Sequence, residues 1–249
     1  EDMELAAQNK VKQDFALAEL LIRFGSDVLT RDNMGRTPLH DCVKGRNGEI
    51  GSMLTAAGAD IHAENRFAES PLTLAFLAGA DTIRWLLDGP AALSRDNSGN
   101  TALHLAVKHR APIEVIQAVM EIRPDIHSRN NRLETPLHTA LQVKHYAAAA
   151  FLVNAGADIF APNGEREFPL AAALNSGPEA LAWIITPDSV NTTDSQGNTP
   201  LHAAVRLGSV ESVSFLLQAG ADPKMRNHDD ISPEEAAHAL GRDDILKMF

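Results

Sequence analysis

Cysteine is almost missing from this 249-residue sequence, in which Cys42 stands alone. A single thiol excludes an intrachain disulfide framework and a thiolate metal cluster, and it fits a reduced setting inside a cell. Aromatic residues supply only 5 % of the chain against 44 % apolar residues overall, so Ala and Leu carry the hydrophobicity. That balance suits a helical protein with small, closely packed interfaces. No apolar run nears the roughly 20 residues that a membrane-spanning helix needs, and no charged-then-apolar leader opens the sequence. Positive charge is scarce as well: 22 Lys and Arg face 33 Asp and Glu, for a net charge of -11 and a pI near 5.3. Such a deficit disfavours wholesale nucleic-acid or anionic-membrane binding, while leaving room for a local basic patch. Catalytic signatures are missing too. There is no G-x-S-x-G, H-E-x-x-H, G-x-x-x-x-G-K-[ST] or C-x-x-C, so neither enzymatic activity nor a cofactor is expected. The stretch starts at Glu1 and runs straight into helical sequence, which suggests a segment of a longer protein.

What the sequence does have is repetition. Its clearest unit is Asp194–Met225, where Thr199-Pro200-Leu201-His202 opens a short helix and Gly208 ends it. A second helix follows from about Ser209 to Ala219, and Gly220-Ala221-Asp222 turns the chain outward. Related openings stand at Thr37, Ser70, Thr101, Thr135, Phe168, Thr199 and Ser232, at steps of 33, 31, 34, 33, 31 and 33 residues. A period near 33 is a solenoid signature, and it overrides a division into compact domains. A longer period overlies it. Thr37 and Thr135, Ser70 and Phe168, Thr101 and Thr199, and the two tryptophans Trp85 and Trp183 are each 98 residues apart. The middle of the chain thus reads as a three-repeat block used twice, and the second repeat of each block is two residues short. A similar local irregularity is expected at both places, because a shorter second helix or closing turn has to be absorbed.

The period, the T-P-L-H openings and the G-A-D closings at Gly58, Gly156 and Gly220 resemble the ankyrin-repeat family over essentially the whole chain. The resemblance implies an all-α solenoid of antiparallel helix pairs with protruding loop or β-hairpin fingers. It implies one domain of about eight repeats, at 1–31, 32–64, 65–95, 96–129, 130–162, 163–193, 194–226 and 227–249. The first of these is worn and lacks the T-P-L-H opening. An ankyrin stack is a protein-interaction module, binding a peptide segment or folded partner through a concave groove of fingers and palm. The alternative is a rigid spacer or regulatory lid within a larger enzyme or effector whose catalytic part lies elsewhere. An intracellular, cytoplasmic location is expected, with the nucleus or a host-cell cytoplasm as variants. The isolated domain is expected to be monomeric, without nucleic-acid binding or membrane insertion.

Each recurrent residue has a local task. Thr before Pro suits the helix N-cap, and Pro at the first helical position loses no hydrogen bond. Leu201 and its equivalents are expected between the helices, with Ala203 and Ala204 letting neighbouring first helices approach. His40, His104, His138 and His202 recur at one repeat position, each with no Cys or His at ligand spacing beside it. In the family the corresponding His is a structural bridge bonded to the Thr-side turn, so no metal site is expected. Asp32, Asp60, Asp96, Asp158, Asp194 and Asp222 sit where a carboxylate accepts backbone N–H groups in a tight turn.

Partner chemistry is expected where stacking leaves residues unfixed. In the fingers these are Met34 and Arg36, then Arg66, Phe67 and Glu69, and Arg132 further on. Met34 and Phe67 occupy one finger position in adjacent repeats and suggest an apolar anchor. The alternative is that Phe67 folds back on its own repeat. Ala68, Leu133 and Arg166 replace the turn glycine, and the fingers of Leu133 and Arg166 are expected to bend differently. Among palm residues, Lys44, Lys108, His109, Lys144 and His145 gather at first-helix ends, against an acidic set of Glu165, Glu167, Asp229 and Asp230 in the C-terminal fingers. The expected partner therefore carries an acidic segment and an apolar anchor. The bland alternative is that these cations answer the helix dipole and stay solvated.

Overall fold

Short helices begin where the T-P-L-H and related openings place them. The computed structural model describes residues 19–22 and 24–249, and the reading of a first repeat at 1–31 falls largely outside them. Residues 19–22 are helical. Contacts group the chain into two compact units, Glu1–Asp125 and Ile126–Phe249.

The first unit holds α1 (Pro38–Lys44), α2 (Gly48–Ala56), α3 (Pro71–Ala78), α4 (Ala80–Leu86), α5 (Ala102–Lys108) and α6 (Ile113–Glu121), with a 3-10 turn at Gly89–Leu93. The first helices α1, α3 and α5 pack side by side in one layer, and α2, α4 and α6 form the other. The second unit repeats this with α7 (Pro136–Gln142), α8 (Tyr146–Asn154), α9 (Pro169–Ser176), α10 (Pro178–Ile184), α11 (Pro200–Leu207), α12 (Val210–Gln218), α13 (Pro233–Ala239) and α14 (Asp243–Leu246). Here α7, α9, α11 and α13 make the first layer and the remaining four the second. All regular structure among the described residues is helical.

The core follows from the repeat. Leu39, Leu72, Leu103, Leu137, Leu170 and Leu201, the leucines of the openings, are all buried between helices, as is Ala204. Removing such side chains from water supplies most of the stability of a helix too short to persist alone. Trp85 on α4 shows how close the second layer packs. Its indole lies in a recess over Gly48 and Gly51 of α2, where a Cβ on Gly48 would stand 2.9 Å from the ring and one on Gly51 would enter it. Trp183, 98 residues on, has Tyr146 and Ala149 at the equivalent places and remains 46 % exposed.

The missing residues of the two short repeats come out of both second helices and the turns that precede them. The regular second helices α2, α6, α8 and α12 each have nine residues, whereas α4 and α10 have seven. A single glycine joins each shortened pair. Gly79 (φ 109°, ψ 179°) ends α3 and starts α4, and Gly177 (φ 96°, ψ -177°) does the same between α9 and α10. Only glycine reaches that backbone region at low cost. The expected irregularity is therefore present at both places and has one form.

Candidate functional site

Seven fingers are built on one plan. Their first residue is Asp32, Asn65, Asp96, Asn130, Asn163, Asp194 or Asn227, whose Oδ1 accepts the backbone N–H groups two and four residues later at 2.8–3.1 Å. The backbone N–H of that first residue donates to the carbonyl four residues on, at 2.9–3.0 Å. The fourth finger residue is left-handed throughout, whether it is glycine or Ala68 (φ 57°), Leu133 (φ 59°), Arg166 (φ 63°) or Asp230 (φ 60°). The expected different bending of the Leu133 and Arg166 fingers is thus not found. The side-chain clamp holds the turn whatever residue fills it, and strands are absent from the fingers among the described residues. Neighbouring fingers are tied by Arg66 N–H to the Met34 carbonyl, Gly164 N–H to that of Arg132, and His228 N–H to that of Gln196, each 2.9 Å.

The recurrent histidines are structural. The backbone N–H of Thr37 donates to His40 Nδ1 at 3.0 Å, which leaves Nε2 to donate to the Glu69 carbonyl of the next finger at 3.1 Å. His138 bridges Thr135 to the Glu167 carbonyl, and His202 bridges Thr199 to that of Ile231. Burial pushes all three imidazoles below their ordinary pKa, so they are neutral at pH 7. In the openings that replace His, Thr73 Oγ1 accepts the Ser70 N–H at 2.8 Å, while Ala171 has no polar group to offer. Among the described residues, no group of three or more His, Cys, Asp or Glu could hold a metal ion. No helix there is long and apolar enough to cross a membrane. Burial pushes the Cys42 thiol up to about 11, which keeps it protonated and unreactive.

The candidate contact residues divide between the units. In the first, Phe67 stands 65 % exposed at a finger tip and Met34, on the neighbouring finger, 39 % exposed. Arg66 is exposed beside them. Arg36 is held by Asp32 at 2.7 Å and Asp41 at 3.2 Å. Glu69 is tied inward, with its carboxylate on Asn65 and its carbonyl on His40. Lys44 and Lys108 are exposed last residues of α1 and α5, where a cation answers the helix dipole. His109 follows Lys108, its ring centroid 6.3 Å from that of Phe76. In the second unit, Arg132 lies 3.8 Å from Glu134. Lys144 is left-handed (φ 54°) just after α7, and His145 stands at the N-cap position of α8. The sequence reading overlooked two pockets. One, of about 450 Å³, is polar and lined by Arg31, His62, Arg95, Asp96 and Lys108 among others. The other is apolar, lies between α9 and α11, and encloses about 210 Å³.

Family models place this architecture. One described as ankyrin repeats (3 copies) matches residues 52–130 and 79–163, and one described as ankyrin repeat matches 34–66 and 196–228. The chain belongs to the ankyrin-repeat family. Among relatives, the mouse (Mus musculus) B-cell lymphoma 3 protein homolog is 29 % identical over 229 residues, covering 87 % of this chain and 51 % of that protein. Mouse inversin is 29 % identical over 196 residues, 74 % of this chain and 18 % of inversin. The crystal structure of the ankyrin repeat domain of Bcl-3 superposes with a TM-score of 0.60 at 28 % identity, covering 86 % of this chain and 99 % of that one. The chain thus spans about half the length of the B-cell lymphoma 3 homolog and less of inversin. It shares with them a fold that serves protein–protein interaction.

Proposed function

We propose that the chain is a protein-interaction module that holds a peptide segment or a folded partner against its fingers and first helices. The observation that carries this is Phe67, a large apolar side chain held out at a finger tip beside Met34 with no stacking task. Two such residues on linked fingers form the centre of a small hot spot. Lys44 and Lys108 in the same unit, and Lys144 in the second, form no salt bridge among the described residues. Lys44 and Lys108 favour a partner with acidic residues near its apolar anchor, and Lys144 favours an acidic contact of its own in the second unit.

Affinity capture with the chain identifies the partner, and substitutions then test the surface. Phe67→Ala is expected to weaken binding by about tenfold or more, the range of a hot-spot truncation. Lys108→Glu and Lys144→Glu are expected to weaken it most at low salt, with the difference shrinking as ionic strength rises. A partner that binds all three variants with unchanged affinity would remove the basis for this reading.

A further inference from the structure

The two shortened second helices differ in what they leave open. Both α4 and α10 have seven residues, and an offset of 98 pairs Asp81 with Glu179, Arg84 with Ala182 and Trp85 with Trp183. On α4 every one of these groups is engaged. Arg84 bridges Asp81 at 2.8 Å and Glu121 at 2.7 Å, and the Trp85 indole lies over Gly48 and Gly51. On α10 the arginine is missing, and so is the recess. Ala149 stands where Gly51 does, and a Cβ at Gly51 would lie 2.2 Å from the Trp85 ring. The Ala149 methyl therefore closes the seat that the first unit offers its tryptophan, and Trp183 stays exposed.

Glu179 and Trp183 are four residues apart on α10 and share one face of it. Both are exposed, while Leu181 and Ile184 are fully buried on the inner side. The charge around them has one sign. Helices α8, α10 and α12 contain no Lys or Arg, and none occurs anywhere from 167 to 205. Glu211 is the second residue of α12 as Glu179 is of α10. Both carboxylates are exposed, and neither forms a salt bridge among the described residues. Past the ends of α8 and α10, a pocket of about 330 Å³ adds Asp158 and Asp188, with no Lys, Arg or His in its lining. The bordering cations are Lys144 before α8, Arg206 on α11 of the other layer, Lys224 after the Asp222 turn, and Arg242, which Asp244 and the Gly208 carbonyl hold.

We propose that this outer face of the second layer is a docking site for a basic segment of another protein. The partner supplies the arginine that Arg84 supplies within the first unit. Its guanidinium pairs with Glu179 and stacks on the Trp183 indole, and a second cation meets Glu211. No residue of the Met34 and Phe67 anchor takes part, so the two sites stand or fall separately.

The test is an NMR titration of the isotope-labelled full chain with the capped peptide Gly-Arg-Ser-Arg-Gly, read at the indole N–H signals of Trp85 and Trp183. A saturable shift of the Trp183 signal is expected by about 1 mM peptide, with that of Trp85 unmoved. Replacing both Arg of the peptide by Gln should weaken binding about tenfold, the scale of exposed charge contacts joined to a cation–π contact. On the protein, Glu179→Gln should weaken binding about threefold. Ala182→Arg restores the internal arginine and should weaken it at least as much, by engaging Glu179 first. Each effect should shrink as salt is raised. A Trp183 signal that does not move overturns the proposal, as does equal binding of the Gln peptide. Unchanged binding by either variant also overturns it, since the peptide would then be answering the net charge of the chain and not this face. Both substitutions fall at exposed positions, so loss of folding does not blur the result.

Discussion

At the scale of the residue, one clamp explains why the fingers tolerate such different sequences. An Asp or Asn side chain accepts two backbone N–H groups and thereby sets the turn, so the left-handed fourth position is imposed on whatever residue stands there. A non-glycine residue in that conformation costs about 1–2 kcal/mol. Glycine recovers part of this, less the greater freedom it gives the unfolded chain. Ala68→Gly is therefore expected to stabilise the protein by about 0.5–1 kcal/mol, and Gly35→Ala to destabilise it by a similar amount. Urea unfolding followed by circular dichroism measures both as midpoint shifts at constant slope. Equal midpoints for Ala68→Gly and the parent would mean that the clamp relieves the backbone of strain. Removing the clamp itself, as in Asn65→Ala, takes away the acceptor of the Phe67 and Glu69 N–H groups. It should loosen the finger that presents Phe67.

At the scale of the element, the 33-residue step was enough to read the helix pairs. Thr-Pro capping, buried Leu and a polar bend each belong to one position, and all point to the same structure. The short repeats were legible as shorter but not as to how they accommodate the loss. That depended on Gly79 and Gly177, whose ordinary-looking place in the sequence conceals a backbone region barred to other residues. The apolar pocket was hidden for a different reason. Its lining brings Ala171 and Leu174 of α9 together with Ala203 and Leu207 of α11, a grouping that takes on meaning only once packing shows that these residues face one space. Gly177→Ala and Gly79→Ala are each expected to cost about 1–3 kcal/mol. A Cβ at either position meets no atom within 4 Å, so the loss comes from the backbone alone. Gly51→Ala destabilises by a separate route, collision with the Trp85 indole, and is distinguished by a change in tryptophan fluorescence. Thermal unfolding of Gly177→Ala at the parental temperature would show that the α9–α10 junction rearranges without penalty.

At the scale of the whole molecule, the histidines link repeat architecture to pH in both units. His40, His62 and His109 in the first and His138 and His202 in the second are all pushed below the ordinary imidazole pKa, in each case chiefly by burial. For His40, His138 and His202 the geometry opposes protonation directly, because a threonine N–H already points at Nδ1. An added proton there would set two donors against each other. The unfolded chain binds protons near its ordinary pKa of about 6.5, and the folded chain does so only at lower pH. Stability is therefore full above about pH 6.5 and falls as the pH drops from there through the lowered folded-state values. Asp96, Asp194 and Glu134 are also lowered, their hydrogen bonds outweighing the effect of burial. They add a separate loss only at more acid pH, below the ordinary carboxylate range of about 4. Melting temperatures at fixed ionic strength should be level between pH 7 and 8 and decline steadily from pH 6.5 to 5. In His138→Gln, which cannot titrate, the decline should be shallower even though the starting stability is lower. A profile flat to pH 5 would show that the bridges accept a proton without loss, and that the repeated Thr–His pairing serves only to shape the turn.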